Sequence, residues 1–405
     1  MLNWAQRFNI FCFLDNQDYT IQPHRHDCLL AVGATAAVDA SQHNFSAVDA
    51  FLSKGRWAFG HLSYDLGQGW YGIPAKLVDT IGFPQFCFFQ PAYLIRITAN
   101  QVNIEGAVPL QVFNEIQEQQ VKAIQPTTVV FQSRYTKAFY IDTIQQLQQH
   151  IQRGDCYEIN FCQEFFATDI TLDPLSVFLK LQEVSPNPFS ALYKVQDSYL
   201  LCASPERFLC KEGQTLFSQP IKGTSKRYPA NGEKDQAAKE ALFHSAKDRS
   251  ENVMVVDLVR NDLSRVCKEG SVRVEELFGI YAFPQVHQMI STVCGELNPG
   301  IPFSEVIRAT FPMGSMTGAP KKRVIELIHQ YEAGRRGIFS GSVGYIDPDG
   351  NFDFNVVIRS VMYNAQTKYL SYQVGSGITI YSDPEQEWEE CLLKAEAIKK
   401  VLTLG

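Results

Sequence analysis

The chain has 405 residues, 45% of them hydrophobic and 20% charged, which is enough apolar material for one large domain or two coupled ones. A formal net charge of −7 excludes broad binding to nucleic acid or to anionic membranes, so any anionic substrate must be held by local basic groups. No apolar run reaches the length of a membrane span, and "FNIFCFL" near the N-terminus, interrupted by Asn9 and without a small-residue cleavage site, reads as a strand rather than a signal peptide. The ten cysteines sit mostly inside apolar runs and form no C-x-x-C pair, so buried, reduced thiols and a cytoplasmic location are expected.

Taken in chain order, the first 130 residues mix short aromatic and β-branched runs with turns. "GRWAFGHLSYDLG" (55–67) predicts a strand ending in a glycine turn, "YLIRITANQVNI" (93–104) a hairpin, and the stretch around 106–128 a connecting segment. From 135, Tyr140, Ile144, Leu147 and Ile151 fall at helical spacing, and Gly154 supplies a stop. Strands are expected at 155–168, 189–194 and 198–210, then one long helical region from about Lys234 to Val266. A helix opening at Pro320 follows, then a β meander over 335–380 with "DPDG" and "NAQT" turns. A last helix starts with Asp383 as N-cap and Pro384 at the first helical position. Long antiparallel strands with segregated helices make the class α+β. The organisation expected is a β-rich region at 1–130, intertwined with a larger region at 131–405.

Two acid clusters stand out. Asp248 and Glu251 are three apart on one predicted helix, and Glu387 and Glu390 share that spacing on another, with Lys394 four beyond. Carboxylates from two helices suit Mg²⁺, yet each pair read alone is equally a wet surface cluster, and Glu390–Lys394 an exposed pair worth about 0.3–0.5 kcal/mol. Small residues in "FPMGSMTGAPKKR" (311–323) precede a helix end whose free N–H groups favour an anion. Gly375 and Gly377 allow close backbone approach, and Arg359 interrupts an apolar strand where it could fork onto a carboxylate. In "SQPIKGTSKR" (218–227), Lys222 is open to three readings: a surface charge, an anion holder or a nucleophile.

Several segments together resemble the chorismate-utilising family: "GDCYEINFCQEFFA" (154–167), "ASPERFL" (203–209), "PIKGT" (220–224), "ENVMVVDLVRNDLSRV" (251–266), "VHQMIST" (286–292), "FPMGSMTGAPKKRVIELI" (311–328), "RRGIFSGSVGYI" (335–346), "VIRS" (357–360) and "GSGITIYSDPEQEWEECLLKAEA" (375–397). They run in the family's order over roughly 135–400. The resemblance implies antiparallel sheets packed as a large sandwich with surrounding helices, and 131–405 as the chorismate-binding catalytic region. Within the family, lysine at 222 marks the branch that aminates chorismate at C4, whereas the anthranilate-forming branch carries alanine there. The water-activating lysine of the isochorismate branch would fall at Glu158, where amine-adding members usually carry Gln.

The resemblance further implies roles. Lys222 would attack C2 of chorismate, Glu206 would protonate the departing 4-hydroxyl, and His287 would hydrogen-bond near the reacting ring. Gly223, Thr224, Tyr345, Arg359, Gly375, Gly377 and Lys394 would hold the substrate. Glu251 and Glu390, with Asp248 and Glu387, would carry Mg²⁺. Ammonia would come from a separate glutamine amidotransferase subunit, and the product, 4-amino-4-deoxychorismate, would feed 4-aminobenzoate and folate synthesis. The alternatives are anthranilate synthesis on the same scaffold and a non-catalytic chorismate- or tryptophan-binding regulator.

Overall fold

The computed structural model describes residues 1–19, 21–24, 26–74, 79–98, 101–120 and 128–403. Nineteen strands among them join one hydrogen-bonded network, antiparallel at every pairing. Period-two alternation shows how its centre is buried on both faces. In the strand Cys28–Asp39, Leu29 and Ala31 enter one apolar cluster while Leu30 and Val32 enter a second. The strand Ser198–Ser204 repeats this, with Leu200 and Cys202 on the first side and Leu201 and Ala203 on the second. Helices Lys137–Gln152 and Pro174–Val184 cover the second side through Tyr140, Ile144, Leu147, Leu175, Phe178 and Leu181. The class is α+β, a large antiparallel sheet system with helices around it.

The N-terminal region does not stand apart. Ile10–Asp15 pairs with Phe189–Val195, and Ala58–Leu62 pairs with Ser342–Ile346. Strand Phe86–Thr98 pairs with Gln101–Glu105 as the expected hairpin, its turn at 99–100 lying outside the described residues. The expected connecting segment contains a helix, Pro109–Gln117, and its part at 121–127 also lies outside them. The ten cysteines form no disulfide among the described residues, and nine are buried. Among the described residues no helix is long and apolar enough to cross a membrane.

Four local expectations are corrected. After the strand Ala58–Leu62 the chain turns directly into a helix, Tyr64–Trp70, so Gly67 is helical rather than a turn residue. The long helical region is two helices, Gly232–His244 and Ala246–Ser264, because Ser245 leaves helical geometry and its side chain caps the Asp248 N–H at 3.3 Å. Pro320 is the N-cap of Lys321–Tyr331 rather than its first helical residue. The meander is two hairpins, Ser342–Ile346 with Phe352–Asn355 and Ser360–Asn364 with Tyr369–Ile378, separated by an irregular break at 356–359. Asp383 does cap the helix Pro384–Lys394, accepting from the Gln386 N–H at 2.9 Å.

Candidate active site

The break at 356–359 has a counterpart. Ser198–Ser204 and Arg207–Glu212 are interrupted at Pro205 and Glu206, and the two interrupted lines of chain pair on both sides of the gap, Cys202 with Ser360 and Arg207 with Asn355. Two adjacent strands therefore open at one level, and each opening delivers a charged residue. Glu206 is 4% exposed. Arg359 sits with φ of 50°, a left-handed conformation that non-glycine residues seldom adopt, and its expected place within a continuous strand is thereby overturned. Arg207 does not neutralise Glu206; it forks onto Asp353 at 2.8 and 2.9 Å.

Lys222 lies on the strand Ile221–Lys226, which pairs with Val286–Glu296. Glu158 opens the strand Glu158–Ala167, which pairs with Tyr369–Ile378 on one side and with Gly318 and Ala319 on the other. These elements bring Lys222 Nζ into a hydrogen-bonded ion pair with Glu158 Oε1, both side chains almost wholly buried. The pair explains Gly377: a Cβ there would lie 2.5 Å from Glu158 Oε1 and 2.8 Å from Lys222 Nζ. Gly223, beside the lysine, has φ of 92° and would meet Asp248 at 2.9 Å with any side chain. Glycine at 377 thus clears room for a lysine and an acid, whereas Gly375 faces Cys162 and the Phe161 carbonyl.

The electrostatics follow from burying many charges together. Burial alone would lower the Lys222 pKa, but Glu158, Glu251 and Glu206 outweigh it and hold the ammonium above its ordinary value. Burial lifts Glu206 to about 7, against the pull of the nearby Ser315 hydroxyl, Lys222 and Arg359. Burial likewise lifts Glu251 to about 7, Lys222 opposing and Glu158 reinforcing. Arg359, with no ion pair among the described residues, is lowered to about 10 by burial, with Glu206 resisting. An under-compensated guanidinium beside a carboxyl that titrates near neutrality is built to receive an anion and to hold a transferable proton.

The four candidate metal carboxylates flank this cluster. Lys247 stands 3.9 Å from Glu251 and 3.8 Å from Glu387. Glu251 Oε1 and Glu387 Oε2 are buried without a hydrogen-bond partner. Asp248 lies in the first turn of its helix, against Gly223. Glu390 pairs with Lys394 at 2.7 Å, and Lys394 also donates to the Gly375 carbonyl at 2.9 Å, tying the last helices to the sheet. No three Asp, Glu, His or Cys side chains among the described residues converge as a ready metal cage. Two orphaned carboxylate oxygens nonetheless suit a hard divalent cation that keeps water or substrate oxygens as further ligands.

Three expected substrate or catalytic residues fall elsewhere. His287 Nε2 pairs with Asp235 at 3.1 Å, so its buried ring is engaged with the helix Gly232–His244 rather than with the Lys222 pair. Tyr345 packs on His26, Trp57 and Phe59 and lines a separate cavity with Asp15, Arg207 and Asp353. Alternation along the strand carries it to that cavity, which composition could not foresee. Thr224 is exposed. Two residues escaped the sequence reading: Lys247, whose i,i+4 spacing to Glu251 was a legible signal, and Ser315, which had none beyond its place in a small-residue loop.

With this geometry in hand, the similarity to known proteins is direct. The profile of the family described as chorismate binding enzyme matches residues 8–400. A relative named aminodeoxychorismate synthase component 1, from Escherichia coli (strain K12), is 35% identical over 350 residues, 85% of this chain and 76% of that protein. Anthranilate synthase component 1 from Aquifex aeolicus (strain VF5) is 34% identical over 312 residues, 77% of this chain and 60% of that protein. The crystal structure of anthranilate synthase component I from Streptococcus pneumoniae TIGR4 superposes with a TM-score of 0.83 at 22% identity, covering 95% of both chains, a likeness of fold. The chain belongs to the chorismate binding enzyme family.

Proposed function

We propose that the chain converts chorismate and ammonia to 4-amino-4-deoxychorismate through a covalent adduct on Lys222. The observation that carries this reading is a buried lysine amine grouped with Glu206 and Arg359, a nucleophile, a neutral-range acid and an anion holder in one cluster. The relatives named aminodeoxychorismate synthase component 1 support it. Arg359 binds a substrate carboxylate, and Glu206 in its protonated form gives its proton to the 4-hydroxyl as the C4–O bond breaks. The Lys222 amine forms its bond to C2 in the same displacement. Ammonia then bonds to C4 while the C2–Nζ bond breaks and the electron pair returns to lysine.

Mg²⁺ at Glu251 and Glu390, with Asp248 and Glu387 nearby, would neutralise and fix the ring carboxylate of the substrate. Ammonia is supplied from glutamine by a partner amidotransferase subunit, and high ammonium replaces that partner in vitro. The test is product identification after incubation with chorismate, Mg²⁺ and ammonium. 4-Amino-4-deoxychorismate is expected; anthranilate with pyruvate would make the chain the sibling lyase instead, and absence of any turnover would favour a binding protein.

A further inference from the structure

In the proposed reaction Lys222 must shed a proton before it can attack, and it must recover one after it is expelled. The resting site gives it a counter-ion. Its Nζ is hydrogen-bonded to Glu158 Oε1, and Glu158 is the single carboxylate among the described residues in ion-pair contact with it. The other acids near it are already occupied. Glu206 carries the proton for the leaving hydroxyl, and Glu251 lies toward the carboxylates beside Lys247. The remaining oxygen of Glu158, Oε2, is buried and has no hydrogen-bond donor. A purely structural buried carboxylate is normally saturated with donors. The absence of a Cβ at Gly377 leaves room at this contact alone, at 2.5 and 2.8 Å from the two partners.

We propose that Glu158 is the proton store of the lysine nucleophile: it takes the proton from Lys222 Nζ ahead of attack and returns it when the amine is released. The proposal rests on the amination reading above. Each step balances. The Nζ–H bond breaks as Glu158 becomes a neutral carboxylic acid, and the neutral amine bonds to C2 while C4–O breaks and the Glu206 proton completes water. Ammonia bonding to C4 releases the neutral lysine amine, and the Glu158 O–H proton passes back to Nζ. Glu206 is reprotonated from solvent, so the sum is chorismate, ammonia and one proton giving the aminated product and water.

In water this first exchange runs uphill, because a carboxylate is a much weaker base than an amine. Burial of Lys222 works toward the neutral amine and the surrounding carboxylates work against it, and the neutral amine is needed only for the moment of attack. The alternative role for the same contact is a clamp that merely holds the ammonium. The two roles predict opposite outcomes on removing the charge. A lost base slows attack, whereas a lost clamp frees the amine and speeds it.

The experiment is adduct formation with saturating chorismate and Mg²⁺ and no ammonia, followed by intact mass, for wild type, Glu158→Gln and Glu158→Asp, with chorismate affinity measured in parallel. Glu158→Gln is expected to slow the adduct by about 10²-fold, the usual scale of a general base, with affinity unchanged. Glu158→Asp, a base set back by one methylene, should lie between. If Glu158→Gln forms the adduct as fast as wild type or faster, the proposal is overturned. If the glutamine variant does not fold, the aspartate variant decides: an unchanged rate overturns the proposal and a slowed one upholds it. A wild-type chain that forms neither adduct nor aminated product would defeat the underlying reading instead, and the two failures are thereby separate.

Discussion

Two buried lysine–carboxylate pairs show the difference between a charge used for structure and a charge held for chemistry. Lys321 bonds to Asp262 at 2.5 Å and to the Thr310 carbonyl at 3.2 Å, both side chains less than a tenth exposed. Donors and acceptors there are matched, and the pair pins the start of the helix Lys321–Tyr331 to the helix Ala246–Ser264. Lys222 and Glu158 are buried to the same degree, yet Glu206 and Glu251 crowd the same lysine and one Glu158 oxygen goes unused. The first pair is closed. The second has carboxylates in excess, a state that the fold tolerates only where a ligand will rebalance it.

Removing Lys222 is the sharpest way to separate the two. In the proposed reaction Lys222→Ala should abolish the chorismate adduct in intact mass and lower amination by about 10⁴-fold or more, the scale seen when a covalent nucleophile is lost. Lys321→Met should do the reverse. It leaves the active-site charges in place but strands Asp262, and a denaturant titration should show a loss of about 3–5 kcal/mol in stability. If Lys321→Met proves neutral in stability, the closed pair is no more structural than the open one and the contrast fails.

A subtler break uses Gly377. Because an added Cβ would press on the mobile ends of Lys222 and Glu158 rather than on backbone, Gly377→Ala should fold with nearly wild-type thermal stability while adduct formation falls by about 10²-fold. Gly375→Ala is the control. Its Cβ would lie 2.5 Å from the Phe161 carbonyl, so it should unfold at a clearly lower temperature.

Much of this architecture was legible locally. The caps at Asp383 and Gly154, the helical spacing of Tyr140, Ile144 and Leu147, and the period-two strands each carry their own signal within a few residues. The order of motifs made the family recognisable. What was not legible depends on pairings across long stretches of chain. The Lys222–Glu158 contact joins residues 64 apart, and the paired openings that deliver Glu206 and Arg359 require the register of two separate hairpins. The residues around Tyr345 predict a strand but not which cavity its side chain lines. Composition marked His287 as titratable without revealing Asp235 on the helix packed beside it. Glu158, an acid where an amide was expected, was visible as a departure and gained meaning only from its partner.

The smallest effect expected concerns the cost of holding Glu206 in readiness. Its carboxyl is raised to about 7 by burial, above the unfolded value near 4.3, so between those pH values the folded chain binds more protons than the unfolded one. Stability from this group is therefore full below the unfolded value and is lost as pH rises through about 7, the opposite of an acid in a salt bridge. Glu206→Gln, which cannot ionise, removes that dependence. It should leave the melting temperature near wild type at pH 5 and raise stability by about 2–3 kcal/mol at pH 8, while eliminating amination at both. Wild-type amination should itself decline above about pH 7 as the acid is lost. A Glu206→Gln variant that is destabilised more at pH 8 than at pH 5 would mean that the ionised carboxylate is what the folded site prefers, and Glu206 would then be a structural charge rather than a held proton donor.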